Sequence, residues 1–487
     1  MAGAAMLLLA ACRPPEGKPA SDAPPTTMRI GIGLSQVSSS PTQNGMAAVA
    51  QLLTVESLAR IADDGRPQPW LARDWQVSDD RRSLTVNLPA QATFHDGTPL
   101  TAAIVAAALQ SALPSFMGAA FEDVESVTAP SAQQVIIRLR RASPFLLDTL
   151  ETSISKPGSP LVGTGPFIVT DPKSATELRA NAGYASGKPG IDRIAMETFP
   201  SVRAAWAEML RGRLDMLWEV GPDALDSLQA SSNIAIFTYT RRYQYMVLLN
   251  TGTDVFKSKA IRQALNMAVD RDGVVRDALG GHGIASSGPV WPRTYGFHGD
   301  VGTPRTDIAA ASQRLTQPAA GKPAKLRFTC LVRPDAVHER IALVLKRQLA
   351  AVGVEMMIEE VSFEAAAEAM RNRHFEALLT EMISGPAFMR LYRIWHSGGV
   401  AGAASPPIDA ALDGVRYAAS DEAYLTGMTA FQQSVVNDPP AIFLAWMERA
   451  RAVSKRFTVP AAEPGRDVLS TLRLWRPTGQ AERASRN

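Results

Sequence analysis

Residues 67–113, PQPWLARDWQVSDDRRSLTVNLPAQATFHDGTPLTAAIVAAALQSAL, constrain the fold more than any other stretch. Trp70, Leu71 and Ala72 lead to Trp75, and the polar turn Asp79-Asp80-Arg81-Arg82 follows. Leu84, Val86 and Leu88 then alternate with Thr85 and Asn87, the two-residue period of a half-buried strand. Phe94-His95-Asp96-Gly97 forms a second turn, with Gly97 free to take positive φ. Thr101 stands at the N-cap position of a helix expected over 102–113. The stretch therefore reads as a strand, a tight turn and a capped helix in close order.

The chain is long for one core. At 487 residues, two or three domains are expected. A net charge of +3, with both signs interspersed, gives no footing for nucleic acid. Beyond the N-terminus no apolar run is expected to approach the roughly 20 residues that span a bilayer.

There are two cysteines, Cys12 and Cys330. Cys12 closes Leu9-Ala10-Ala11-Cys12 after an apolar run, which resembles a bacterial lipobox, the cysteine being lipidated once the signal over 1–11 is removed. No Lys or Arg precedes it, so a few upstream residues are expected to supply the positive n-region. Cys330 is then left without a disulfide partner, as a buried thiol. Residues 12–27, rich in Pro, Ala and Ser, form a flexible tether.

The folded part opens with a strand over 28–34, whose Gly31-x-Gly33 lacks the rest of a dinucleotide fingerprint. A helix over 47–60 follows from Ala48, Leu52, Val55 and Leu58. After the opening stretch come a strand over 135–139, the turn Gly163-Thr164-Gly165-Pro166-Phe167 into a strand, and a strand over 194–199. A helix over 202–211 with Gly212 at its end precedes a strand over 214–218. A strand is expected over 243–250. An amphipathic helix follows over 256–269. Strands at 326–328, 354–361 and 376–382 alternate with helices at 338–351 and 363–371. A helix over 423–436 leads to a returning strand over 441–446.

These letters closely resemble one family, the extracytoplasmic solute-binding proteins of ABC transporters in the peptide/nickel-binding class (family 5). The resemblance rests on Pro69, Leu71-Ala72, Trp75, Val77-Ser78, Asp80, Phe94-His95-Asp96-Gly97 and Pro99-Leu100-Thr101-Ala102. It continues through GTGPF, the N-x-x-Y…G-K-P turn from Asn181 to Pro189, and F-x-S-x-x-I-R-Q-A-L-x-x-A-V-D-R after Asn250. The family's acidic residues after Thr-Ala are replaced here by Ala103 and Ile104.

The resemblance implies a two-lobed periplasmic-binding-protein-like (class II) α/β fold with an additional subdomain on the first lobe. Lobe I would comprise 28–57, 163–249 and 447–487, the subdomain 58–162, and lobe II 250–446. It implies an importer's receptor, monomeric and anchored outside the cytoplasm by lipidated Cys12. That receptor would capture a peptide or other small solute and deliver it to permease and ATPase subunits. A solute sensor using the same clamp, and a metal or metal-chelate carrier, stand as alternatives.

The resemblance also implies ligand contacts at strand ends: Ser35 and Gln36, Tyr243 and Tyr245, Met382 and Ser384, and Trp446. Peptide-binding relatives carry an aspartate-rich motif near residues 380–388 whose carboxylate meets the α-ammonium. This chain reads TEMISGPAF there, with no aspartate between Glu381 and Asp409. The six histidines, His95, His282, His298, His338, His374 and His396, make no metal-ligand spacing. There is no GxSxG elbow. No catalytic residue, metal or cofactor is therefore assigned.

Overall fold

The computed structural model describes residues 26–33, 41–171, 173, 175–299, 301, 306–316, 326–385, 387–401, 405–462 and 466–479. The signal, Cys12, the tether, Ser35 and Gln36 lie outside the described residues.

Two long antiparallel strands form the spine, Ile234–Leu249 going out and Ala441–Ser454 returning. They pair from Ile234↔Ser454 to Leu248↔Ala441. Their register shifts between Arg241 and Gln244 and again between Tyr245 and Met246. Such irregularities bend and twist a strand pair locally. Partners change at the same place. Met216–Val220 pairs with the return strand at 450–453, whereas Gly283–Ala285 pairs with it at 445–447. The outgoing strand gains Ala377–Ile383 only from Tyr243 onward. One 11-stranded sheet therefore carries two α/β lobes joined through its middle.

In the first lobe, Thr27–Gly33 runs parallel between Arg193–Phe199 and Met216–Val220. Ser201 caps helix Val202–Leu210 through Ala204 N, and Gly212 takes φ +71° just past its end. In the second lobe, Arg327–Val332 runs parallel between Glu355–Glu360 and Ala377–Ile383. Asp335 caps helix Ala336–Ala350 and Ser362 caps Phe363–Asn372. Cys330 is buried and free, its thiol pushed up to about 12 by burial.

The subdomain is the sheet of Asp74–Val77, Ser83–Asn87, Gln134–Leu139 and Val124–Ser131 with helix Ala102–Met117. Thr101 does cap that helix, accepting from Ile104 N. The expectation about apolar length needs correcting. Residues Ala102–Asp123 are long and apolar enough to cross a membrane by length and composition. Val105, Leu109, Leu113 and Met117 are buried in the subdomain core, so this is the packed helix of a folded unit.

The family-like motifs converge on one junction. His95 Nε2 lies 3.0 Å from the Gly165 carbonyl, and His95 N donates to Gly163 O. Asn181 also donates to Gly165 O, while Thr164 and Tyr184 both donate to buried Glu56 at 2.7 Å. Burial, partly offset by those two bonds, raises the Glu56 pKa. The motifs thus hold the subdomain to the first lobe.

The same junction corrects the expected helix over 47–60, which ends as Pro41–Thr54. Gly165 N donates to Thr54 O at 3.0 Å, closing the last turn. Val55 and Leu58 keep a helical spacing, but the chain has already turned into the short strands Glu56–Ser57 and Ala59–Ile61. A Cβ on Gly163 would sit 2.1 Å from Thr54 O and 2.8 Å from Val55 Cα. Gly163→Ala is therefore expected to destabilise by roughly 1–3 kcal/mol in denaturant melts. Gly414→Ala, in the open interior of helix Pro406–Arg416, should instead stabilise by about 0.5–1 kcal/mol.

A second seam joins the subdomain to helices of the second lobe. Phe145 meets Tyr392 edge-on at 5.6 Å and Phe388 at 6.4 Å, within one continuous apolar core. Met389 N donates to Asp148, and Arg390 pairs with Glu151 at 2.8 Å. Arg416 pairs with Asp123 at 2.7 Å and Glu122 at 2.8 Å.

Candidate ligand-binding cleft

The register fixes where the strand ends point. Val220 ends its strand opposite Ala450, and Ile383 ends its strand opposite Tyr243. The C-terminal ends of both lobes' parallel strands therefore converge on the middle of the spine. In open α/β sheets, ligands bind beyond such ends. The loop carrying Arg333 and the start of helix Phe388–Trp395 lie at these ends in the second lobe.

A cavity of about 380 Å³ occupies this place. Tyr243, Met382 and Glu381 line it from the spine and its neighbour, with Arg333, Arg390 and Arg393 from the adjoining loop and helix. Phe363, 48% exposed, and Val400 are exposed apolar side chains of the same wall. A larger cavity, about 600 Å³, is lined by Arg60, Trp70, Arg242 and Glu151. The Arg390–Glu151 pair connects the two linings.

Charge in the floor is arranged as a chain. Arg449 on the return strand pairs with Glu219 of the first lobe and, at 3.9 Å, with Glu381 of the second. Arg333 reaches Glu381 at 3.6 Å. Burial alone would push the Arg449 guanidinium down, but Glu219, Tyr245 and Glu381 more than offset it, so its pKa is raised. The two contacts to Glu381 are ion-pair distances, longer than hydrogen bonds, whereas Arg449 and Glu219 are in direct contact. Glu381 Oε2, Arg333 Nε, Arg390 Nε and Arg449 Nε are buried without a hydrogen-bond partner. Orphaned buried polar atoms at a cleft are the atoms a ligand or water satisfies.

The expected contacts occupy different layers of this floor. Tyr243 and Met382 line the 380 Å³ cavity. Ser384, 1% exposed, donates its N–H to Arg242 O, while its Oγ has no partner. Tyr245 is buried edge-on to His338 at 5.5 Å and lines a small cavity of about 20 Å³ with His282. Trp446 is buried edge-on to Trp291 at 5.1 Å, its Nε1 unpartnered.

His338 and Asp335 lie 2.9 Å apart, yet they offer no free base. Asp335 also caps His338 N, and Arg333 donates to the imidazole's Nε2 at 2.8 Å. Among the described residues no group of three His, Cys, Asp or Glu is placed to hold a metal ion.

Sequence reasoning missed Arg333, Arg390, Arg393 and Arg449. Two signals pointed to the first three. Arg333 directly follows a parallel strand. In Phe388–Trp395, FMRLYRIW, the apolar residues Phe388, Leu391, Tyr392 and Trp395 recur at helical spacing, which sets Arg390 and Arg393 on a shared face.

Residues 66–401 match the family described as bacterial extracellular solute-binding proteins, family 5 Middle. The chain belongs to that family, whose members are substrate-binding proteins of ABC transport working outside the cytoplasm, not enzymes. The oligopeptide-binding protein AppA of Bacillus subtilis is 23% identical over 453 residues, 83% of each chain. Two solved structures share the fold over 93% of this chain and all of theirs. One is NikZ from Campylobacter jejuni in complex with Ni(L-His), TM-score 0.77 and 19% identity. The other is AppA from Bacillus subtilis in complex with a nonapeptide, TM-score 0.74 and 21% identity.

Proposed function

We propose that this chain is the solute receptor of an ABC importer, taking a small solute, of peptide class, between its two lobes. One observation carries the reading. Two strands form the middle of the sheet, the strand ends of both lobes converge on it, and a cavity opens beside it at the second lobe's strand ends. Hinge closure requires only a few such residues to change while packed lobes stay rigid. The register irregularities at 241–246 supply them.

Lipidated Cys12 tethers the receptor to the membrane, and permease and ATPase subunits consume its cargo. Ser35, Gln36, Tyr243, Tyr245, Met382, Ser384 and Trp446 contribute to the solute's surroundings. The lobe limits are those given from the sequence, with 58–162 as the added subdomain. The peptide class draws support from AppA, and the nickel–histidine complex is its rival through NikZ.

Melting scans test this. A mixed tripeptide pool at about 100-fold over Kd should add about 2.7 kcal/mol to the native state and raise the midpoint. The peptides should be recovered uncleaved. A rise with nickel–histidine alone would replace peptides by a metal chelate. Cleavage of the pool, or no rise with any small solute, would contradict the proposal.

A further inference from the structure

We propose that the solute carries a carboxylate, and that Arg333, Arg390 and Arg393 bind it in the 380 Å³ cavity. This deepens the receptor reading and rests on it. Three guanidinium groups line that cavity against one carboxylate, Glu381. Glu381 is already shared between Arg333 and Arg449. It is therefore a poor partner for an incoming ammonium group.

The arginines are only partly satisfied. Glu151 holds one N–H of Arg390, and its Nε stays buried and unpartnered. Arg333 donates to His338 and lies 3.8 Å from Asp335, again with its Nε unpartnered. Arg393 donates to the Phe116 carbonyl at 2.8 Å and has no carboxylate against it among the described residues. Arg390 and Arg393 are three residues apart on one helix, so their like charges crowd. Burial and then Arg390 lower the Arg393 pKa. A carboxylate entering here removes both penalties, because guanidinium donors match its two oxygens in bidentate geometry.

The rest of the wall sets the solute's body. Met370, Ile394, Ala366 and Phe363 are apolar, so the acid carries an apolar portion. A peptide's C-terminus and a non-peptide organic acid both present this chemistry.

The test incubates full-length protein with tripeptides bearing free C-termini, with the same tripeptides C-terminally amidated, and with sugar acids and dicarboxylates and their methyl esters. Retained compounds are read by mass spectrometry after dialysis and unfolding. Free acids should exceed their amides or esters by roughly tenfold or more. Free tripeptides identify a peptide terminus, and retention of the other acids alone identifies a non-peptide source. Arg393→Met should lower retention at least about tenfold with the solute-free melting midpoint nearly unmoved, and Arg333→Gln, on another element, should repeat the loss. Equal retention of blocked and free compounds overturns the carboxylate while leaving the receptor reading standing. Retention of nothing in any arm overturns both.

Discussion

Arg416→Ala should lower the free energy of unfolding by about 3–5 kcal/mol, the cost of stranding a buried charge. The Arg416 side chain is 3% exposed and its partner Asp123 5%. Its Nη1 donates to Tyr392 OH, and its guanidinium lies 5.0 Å from the Tyr392 ring and 4.9 Å from that of Tyr417. Burial would lower the Arg416 pKa, but Asp123 and Glu122 more than compensate and raise it. Removing the guanidinium leaves Asp123 in an apolar seam, with Arg141 only at 3.7 Å. Because the seam ties the subdomain to helix Pro406–Arg416, denaturant melts should show loosening of both together. Replacing Asp123 by leucine in the same background should recover part of the loss, since burying no charge costs less than burying one. A loss below about 1 kcal/mol, the worth of an exposed pair, would contradict this account of the seam.

The second large effect depends on pH and arises in the same seam. Asp148 is pushed up from 3.8 to about 7, chiefly by burial. Met389 N–H and Arg390 favour its charge, Glu151 opposes it, and Tyr424 lies close enough to be affected in turn. A folded pKa above the unfolded one stabilises the native state fully below about pH 4. That contribution fades as pH rises toward 7 and is gone above it. Three pKa units correspond to about 4 kcal/mol, an upper bound for a carboxyl that is only partly buried. Asp148→Asn, whose amide carries no charge and whose oxygen still accepts from Met389 N, should therefore lose the decline between pH 4 and 7. At pH 8 it should melt above the wild type. Parallel stability curves for the two proteins across that range would contradict the assignment.

Local signals in the sequence carried most of the architecture. Thr101 and Gly212 mark helix limits because caps act within a few residues. Strand period placed 28–34, 135–139 and 354–361 within two residues of their ends. Long-range partners defeated the same reasoning elsewhere. The spine strand begins at Ile234, nine residues before the expected 243, because its early half is held only by the return strand. The return strand likewise continues to Ser454. Helix 47–60 failed because a loop more than a hundred residues later closes its last turn.

The cleft was legible as a place but not as a chemistry. Tyr243 and Met382, which the family resemblance put at strand ends, line the 380 Å³ cavity. The arginines come from a loop, a short helix and the far strand, and only the register brings them together. Asn250, by contrast, spends its amide on the Phe375 and Arg373 carbonyls at the outer end of its strand.

The most direct test of the two-lobed clamp is a distance between spin labels at Leu210→Cys and Leu343→Cys, exposed helical positions on the first and second lobes. Cys12→Ser removes one native thiol, and Cys330 is too buried and too weakly acidic to label. Adding a solute that raises the melting midpoint should shorten the distance and narrow its distribution. An unchanged distribution with such a solute bound would contradict closure between the lobes.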